Sequence, residues 1–466
     1  MSASEIAGIT GGELQGADPF SRAVGVCTDS RQIHGGELFV PLPGRKFDGH
    51  DFIEEAMDQG AAGSLVQRGR PEKTGRNGWP GKFVVRVEDV LQALGDLARS
   101  WRRRHPLPVV AITGSNGKTT TKEMTALILA KKFNVLKTEG NWNNLIGLPL
   151  MLLKLAPEHQ VAVLEMGMNV PGEIRRLRDI AEPQVSTICN IGHAHLEFLG
   201  DIEGVARAKG ELWEGVGEKD WIAVNLDDPR VVALAASAPC QKKTFGILRK
   251  GDLYADQLSP GEGRGIRFSL HLDGAGRPVQ LTLSGKHHVY NALAAAALAK
   301  ILEVRLEEIV AGLEEFQPLA GRGQILPLGR NIHLMDESYN SNPDSLQATL
   351  AAFGEMKGRS RGLFVMGDML ELGPTSSAEH EKLGKWIARR GLAYLIFFGE
   401  KAHDLAAGAR KGGAEKGKVF VAQTHEEVVK NLEKIIESGD WILVKGSRAM
   451  QMERIIQGLE DLWRRA

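Results

Sequence analysis

Lys118 follows two glycines and precedes a run of three threonines, in the stretch Thr113-Gly-Ser-Asn-Gly-Lys-Thr-Thr-Thr121. That arrangement suits a polyphosphate. Gly114 and Gly117 let the backbone amides around Ser115 and Asn116 face an anion with no Cβ in the way. A helix starting directly afterwards adds its positive end. The Lys118 ammonium can reach terminal phosphates, and the Thr119 hydroxyl can ligate Mg²⁺. The spacing departs from strict G-x-x-x-x-G-K-[ST], because Ile112 stands at the first glycine. Such a loop alone leaves motors, switches, transporters and kinases open.

Four further residues could complete a metal–phosphate site. Glu165 ends the apolar run Val161–Met166, and a strand-end carboxylate suits an oxygen-seeking cation. His193 and His195 follow the run Val185–Ile191, where a histidine can ligate, touch phosphate or cap. Lys209, in Arg207-Ala-Lys-Gly-Glu-Leu212, reads by itself as a solvated helix lysine.

Elements able to hold these residues recur along the chain. Val109–Thr113, Val161–Met166, Val185–Ile191, Trp221–Asn225, Leu363–Met366, Leu395–Phe398 and Trp441–Val444 are short continuous apolar runs. Such runs mark strands covered on both faces. Their alternation with amphipathic helical stretches predicts α/β architecture. A turn-rich stretch at 68–82 and a Pro/Gly break at 316–323 divide the chain into domains at 1–86, 87–317 and 318–466. Residues 255–283 read as a β-rich excursion inside the central domain.

The composition narrows the classes further. The 466 residues carry 58 Lys+Arg and 58 Asp+Glu, so no bulk positive charge draws the chain to nucleic acid, and positive charge for an anionic ligand must be local. Three scattered cysteines, Cys27, Cys189 and Cys240, make neither a disulfide framework nor a metal spacing. No apolar run approaches membrane-spanning length, and the start lacks a signal-peptide pattern. A cytoplasmic enzyme without membrane insertion is expected. No coiled-coil seam argues for assembly, so a monomer is expected.

Taken in order, the motifs resemble those of the Mur ligase family, which builds the peptidoglycan stem peptide. The resemblance runs through Thr28-Asp-Ser-Arg31, Gly36–Val40, Phe47–Phe52, the phosphate loop, Gly140–Leu150, Glu165–Ile174, Asn190–Gly200, Arg207–Leu212 and Leu283–Ala299. It ends in Gly321-Arg-Gly-Gln324, Asp336–Leu346, Gly367–Gly373 and Val444–Met450. The segments Asp336–Pro343 and Gly367–Gly373, with His380 downstream, are similar to those of the member that joins D-alanyl-D-alanine to UDP-N-acetylmuramoyl-tripeptide. No Asp-Asn-Pro-Arg acceptor motif is present. Glu337 stands where a second Asp is usual, and Trp142 and the Pro41-Leu-Pro-Gly44 turn also depart from the commoner pattern.

The resemblance implies a UDP-substrate domain, a central P-loop ATPase domain with a parallel sheet, and a Rossmann-like C-terminal domain that takes the dipeptide. Residues 114–120 would hold ATP, with Lys118 catalytic. Thr119 and Glu165 would bind one Mg²⁺, and His195 would help bind a second. Lys209 would act as a carbamate, which supplies the acceptor oxygens an ammonium lacks. Asn291 would contact adenine, and Arg322 and Asp336 the nucleotide. Ser30, Asp48, Gly49 and His50 would contact the UDP-sugar, with Asn141 and Asn143 nearer the reacting end. The implied reaction runs through an acyl phosphate. Two alternatives remain at this stage: a ligase of the same fold with another acceptor, and a P-loop switch without ligase chemistry.

Overall fold

The computed structural model describes residues 1–16, 18–44, 46–70, 79–261 and 265–464. Part of the turn-rich stretch expected at 68–82, namely 71–78, lies outside the described residues. Spatially the chain forms two compact units, one of residues 1–111, 133–168 and 172–184, the other of 112–132, 169–171 and 185–466.

In the first unit a five-stranded sheet runs in the order Glu13–Gly16, Phe83–Val87, Gly63–Gln67, Leu38–Phe39, Val26–Cys27. The first pair is antiparallel and the others parallel. Helix Val90–Arg103 covers one face, because Val90, Ala93, Leu94 and Leu97 recur at helical spacing and pack with Leu65, Phe83 and Val85. Asp89 caps it by accepting from the Gln92 amide. The same helix meets helix Glu173–Ala181 at Gly95, where a Cβ would fall 2.7 Å from Ile180 Cδ1. Arg99 and Arg103 both pair with Glu182, at 2.8 and 2.5 Å. Strand Val161–Glu165, buried throughout, lies parallel to Val135–Lys137.

The second unit starts inside strand Val109–Thr113 and continues into helix Lys118–Leu129. Its central strands follow the order Ala275–Leu281, Ile266–Leu272, Leu253–Pro260, Gln241–Gly246, Trp221–Asn225, Val185–Ile188. From Leu253–Pro260 back to Val185–Ile188 the pairing is parallel. The excursion expected at 255–283 is an antiparallel meander of three strands. A six-stranded sheet, ordered Gln324–Pro327, His333–Glu337, Trp441–Lys445, Gly362–Gly367, Tyr394–Phe398, Val419–Ala422, closes the unit. It is parallel except for its first edge strand. Helices bury both faces, one around Phe353, Phe364 and Leu405, the other around Val365, Ile442 and Ile455. Double coverage explains why these strands read as unbroken apolar runs.

Candidate active site

The phosphate loop is built as its glycines require. Gly114 and Gly117 take φ of 155° and 80°. A Cβ on Gly114 would fall 2.9 Å from Cys189 Cβ, and one on Gly117 would overlap Oδ1 of Asn291. The loop is also pre-tied. Asn190 accepts from the Ser115 amide through its carbonyl (3.0 Å) and from the Asn116 amide through Oδ1 (2.9 Å). Those two amides, expected to face an anion, therefore shape the loop. That leaves anion binding to the first turn of helix Lys118–Leu129, whose amides have no intrahelical acceptor. Lys118 Nζ donates to the Gly114 carbonyl at 2.9 Å, folded back over the loop. The Thr119 and Thr120 side chains are buried.

Beside the loop lies a cavity of about 340 Å³, lined by Asn116, Gly117, Asn190, Asp227, Tyr290 and Asn291 among others. Asp227 accepts from the amides of Ile247, Leu248 and Arg249 and from the Tyr290 hydroxyl. Burial alone would push its carboxyl up, but these donors hold it below the ordinary range. Burial and the facing carboxylate push the Tyr290 phenol up. A cavity whose lining combines Ile191, Pro229 and the Tyr290 ring with fixed amide and carboxylate groups is suited to a nucleoside.

Lys209 overturns the solvated reading. It sits on helix Ile202–Gly210 with 1% exposure. Burial, and next the charge of Lys118, push its pKa well below the usual lysine value. His195 is the left-handed cap, φ 55°, of the short helix Leu196–Leu199. Its Nδ1 is 2.7 Å from Glu371 Oε2, close but off the line of a hydrogen bond. Contact with His195 holds the Glu371 carboxyl below its ordinary range, against burial and with help from Lys118. His193 turns elsewhere. Its amide donates to Asp344 Oδ2 at 2.6 Å.

Arg322 and Asp336 come together. Asp336 accepts from the Gly321 and Ser338 amides at 2.8 and 3.0 Å, and Arg322 stacks 3.8 Å over the Tyr339 ring. The Asp336 carboxylate thus organises the loop that aims Arg322, while burial pushes its pKa up.

In the first unit, Glu165 is 2% exposed. Its Oε1 accepts from Asn143 Nδ2 at 2.7 Å and its amide donates to Thr138 Oγ1 at 3.0 Å. Its Oε2 is buried without a hydrogen-bond partner. A buried anionic oxygen left unpaired is costly unless a cation satisfies it. Asn141 is exposed, and its carbonyl accepts the Asn143 amide at 2.8 Å. Ser30 Oγ reaches Glu55 at 3.3 Å. Asp48 and Gly49 start the turn Gly49–Phe52, where a Cβ on Gly49 would fall 2.7 Å from the Leu42 nitrogen. His50 is buried, with Nδ1 against Asp48 (2.7 Å) and Nε2 accepting from the Gln67 amide (3.1 Å). Both ring nitrogens are engaged within the protein, so this histidine organises the turn.

The donor chemistry fits Mg²⁺. Among the described residues no cluster of three or more His, Cys, Asp or Glu could enclose a metal. Mg²⁺ does not need one, since it takes one or two protein oxygens and completes its shell with water and substrate phosphate. In the first unit the orphaned Glu165 oxygen is a donor of that kind, and in the second the Thr119 hydroxyl is another.

Comparison with known proteins decides the family. Residues 22–102 match the description "Mur ligase family, catalytic domain", 112–299 "Mur ligase middle domain", and 321–448 "Mur ligase, glutamate ligase domain". The chain belongs to the Mur ligase family. Relatives of this Mur ligase include the UDP-N-acetylmuramoyl-tripeptide–D-alanyl-D-alanine ligases of Bacillus subtilis and Escherichia coli. The first is 34% identical over 93% of both chains, the second 35% over 99% of this chain and 98% of the other. Among solved structures, MurF from Acinetobacter baumannii superposes with a TM-score of 0.89 at 33% identity, covering 99% of this chain and 98% of that one. MurF from Thermotoga maritima in complex with ADP gives 0.83 at 28%, covering 96% and 99%.

Sequence reasoning missed Asp227, Tyr290, Asn190 and Glu371 in this Mur ligase. Asp227 had a usable signal, because it follows strand Trp221–Asn225, and ligand groups gather at such strand ends. Asn190 likewise follows Val185–Ile188. Nothing local points from Glu371 to His195.

Proposed function

We propose that the protein is an ATP-dependent, ADP-forming amide ligase that adds D-alanyl-D-alanine to UDP-N-acetylmuramoyl-tripeptide, giving the pentapeptide precursor of peptidoglycan. The reading rests above all on the 35% identity, over 463 residues, with a ligase bearing that name. The charged, water-soluble substrates suit a cytoplasmic enzyme, and no helix among the described residues is long and apolar enough to cross a membrane.

A carboxylate is a poor electrophile and repels ATP. In the proposed reaction a carboxylate oxygen of the tripeptide attacks the γ-phosphorus, the bond to ADP breaks, and an acyl phosphate forms. The dipeptide's free amine then attacks the acyl carbon, loses a proton, and inorganic phosphate leaves. Positioning and charge neutralisation carry such a transfer. Lys118 offsets charge on the terminal phosphates, the first turn of its helix binds the same anion, and the Asp227–Tyr290–Asn291 cavity holds the nucleoside. Arg322, stacked on Tyr339, supplies cationic charge from the last domain.

Thr119, Glu165, His195 and Lys209 are the residues that would hold two Mg²⁺, which supply Lewis-acid polarisation of the phosphoryl oxygens. For Lys209 we propose a carbamate: the neutral amine adds to CO₂ through Nζ and releases a proton. The burial that lowers its pKa keeps that amine neutral. Ser30, Asp48, Gly49, His50, Asn141 and Asn143 are proposed around the UDP-sugar and its peptide, His50 through the turn it holds.

Phosphate release with UDP-N-acetylmuramoyl-tripeptide, with and without D-alanyl-D-alanine, tests the reading. Turnover should require the dipeptide, with free D-alanine and diaminopimelate poor acceptors. Equal rates with single amino acids would favour a ligase of other specificity, and turnover indifferent to any acceptor would remove the ligase reading.

A further inference from the structure

The loop after strand Gly362–Gly367, Asp368-Met-Leu-Glu-Leu372, has no part in the chemistry above, yet it is tied down at every residue from 368 to 371. The Asp368 carboxylate accepts the Lys401 amide at 3.1 Å, and its carbonyl accepts the Ser447 amide at 3.1 Å. The Met369 amide donates to Nε2 of His380, a fully buried ring whose Nδ1 lies 2.7 Å from the Ser376 carbonyl. The Leu370 amide donates to Ser447 Oγ at 2.9 Å. The Glu371 carbonyl accepts the Glu197 amide at 3.2 Å. What this scaffold presents is the Glu371 carboxylate, 2.7 Å from Nδ1 of His195.

Both partners have unusual backbones. His195 has φ 55° and Glu371 φ 63°, left-handed conformations that residues with a Cβ adopt at a cost. Strain at two facing residues persists only where the surroundings over-determine it. Here it brings one ring nitrogen against a carboxylate. A carboxylate facing Nδ1 selects the tautomer with the proton on that nitrogen, and the lone pair then lies on Nε2.

We propose that Glu371 is the positioning residue for His195: it fixes the ring's orientation and tautomer, so that Nε2 is the ligand-ready nitrogen, and it does so from the last domain. His195 would therefore be a competent ligand only while the 368–372 loop is docked against residues 195–199. The inference rests on the reading that places His195 at the nucleotide's metal. His380 and Ser447 act one step further out, by holding the loop.

The test uses the full chain, with Mn²⁺ as the spin probe and ADP present. Glu371→Ala should weaken Mn²⁺ binding about 10- to 100-fold, the usual effect of losing a ligand's supporting carboxylate. ADP affinity without metal should stay unchanged. Glu371→Gln, which keeps an oxygen against Nδ1–H but not its charge, should recover only part of the loss. His195→Ala should lose as much as Glu371→Ala, and the double variant no more than either. In the metal-free enzyme, amides 196–200 should exchange faster in Glu371→Ala. Wild-type Mn²⁺ affinity in Glu371→Ala, losses that add in the double variant, or wild-type affinity in His195→Ala would each overturn the proposal. Dipeptide-dependent turnover of the unmodified enzyme reports separately on the ligase reading.

Discussion

Gly117→Ala places a methyl group where the structure has two independent objections. The first is conformational. At φ 80° an L-residue costs about 1–2 kcal/mol. The second is steric, since the new Cβ would overlap Asn291 Oδ1, a buried side chain that also takes a long 3.4 Å contact from Thr121 Oγ1. Driving Asn291 off its rotamer adds about 0.5–1.5 kcal/mol. The sum is about 1.5–3.5 kcal/mol of stability, and because Asn291 lines the cavity, ADP affinity should fall as well. Urea unfolding and calorimetric ADP titration measure the two effects. The second objection disappears in an Asn291→Ala background, where Gly117→Ala should cost only the conformational part. An identical cost in both backgrounds would refute the steric argument, and a cost below about 0.5 kcal/mol in the wild-type background would refute both.

Lys118→Ala should leave the melting temperature nearly unchanged and lower turnover by on the order of 100-fold or more, read as dipeptide-dependent phosphate release, because one preorganised cation is lost. Lys209→Ala should be inactive but partly restored by short carboxylic acids. Lys209→Arg should be inactive without rescue, since a guanidinium neither adds CO₂ nor ligates a cation; an Arg variant of full activity would end the carbamate proposal. Asp227 has a depressed carboxyl pKa in the folded state, so the unfolded chain takes up its proton first as pH falls. Its contribution is present above the ordinary value of 3.8 and is lost as pH drops through the lower folded value. Asp227→Asn should therefore flatten the acid limb of stability below about pH 4 in urea titrations.

What could be read from the chain, and what could not, follows physical lines. Val109–Thr113 and Trp441–Lys445 announce themselves because both faces of their sheets are covered, so apolar side chains run unbroken through 109–112 and 441–444. The phosphate loop is legible because its chemistry is packed into eight consecutive residues, 113–120. Lys209 is not, because a lysine is ordinarily solvated and its burial depends on neighbours brought in from elsewhere. His50 has the opposite lesson: a histidine in a motif invites a ligand, yet both its nitrogens are used by Asp48 and Gln67. The short strands Val26–Cys27 and Leu38–Phe39 give too little periodicity to register. The Glu371–His195 pair joins two loops distant in sequence, and only the folded chain brings them together.

The interleaving of the two units has a consequence for how the protein can be born. The first unit is not finished at residue 111, because it also needs 133–168 and 172–184. Its helix Val90–Arg103 waits for Ile180 to pack at Gly95 and for Glu182 to meet Arg99 and Arg103. At about 5–20 residues per second, the ribosome takes roughly 10–40 s to reach Gln184. Until then a nascent chain carries a half-covered helix and the buried strand Val161–Glu165 without its final neighbours. A stop at residue 111, although it falls between two sequence motifs, would release an aggregation-prone fragment rather than a separable module. Dissection of this chain by truncation should respect residue 184, and an early ribosomal pause before it prolongs the exposure of the same apolar surface.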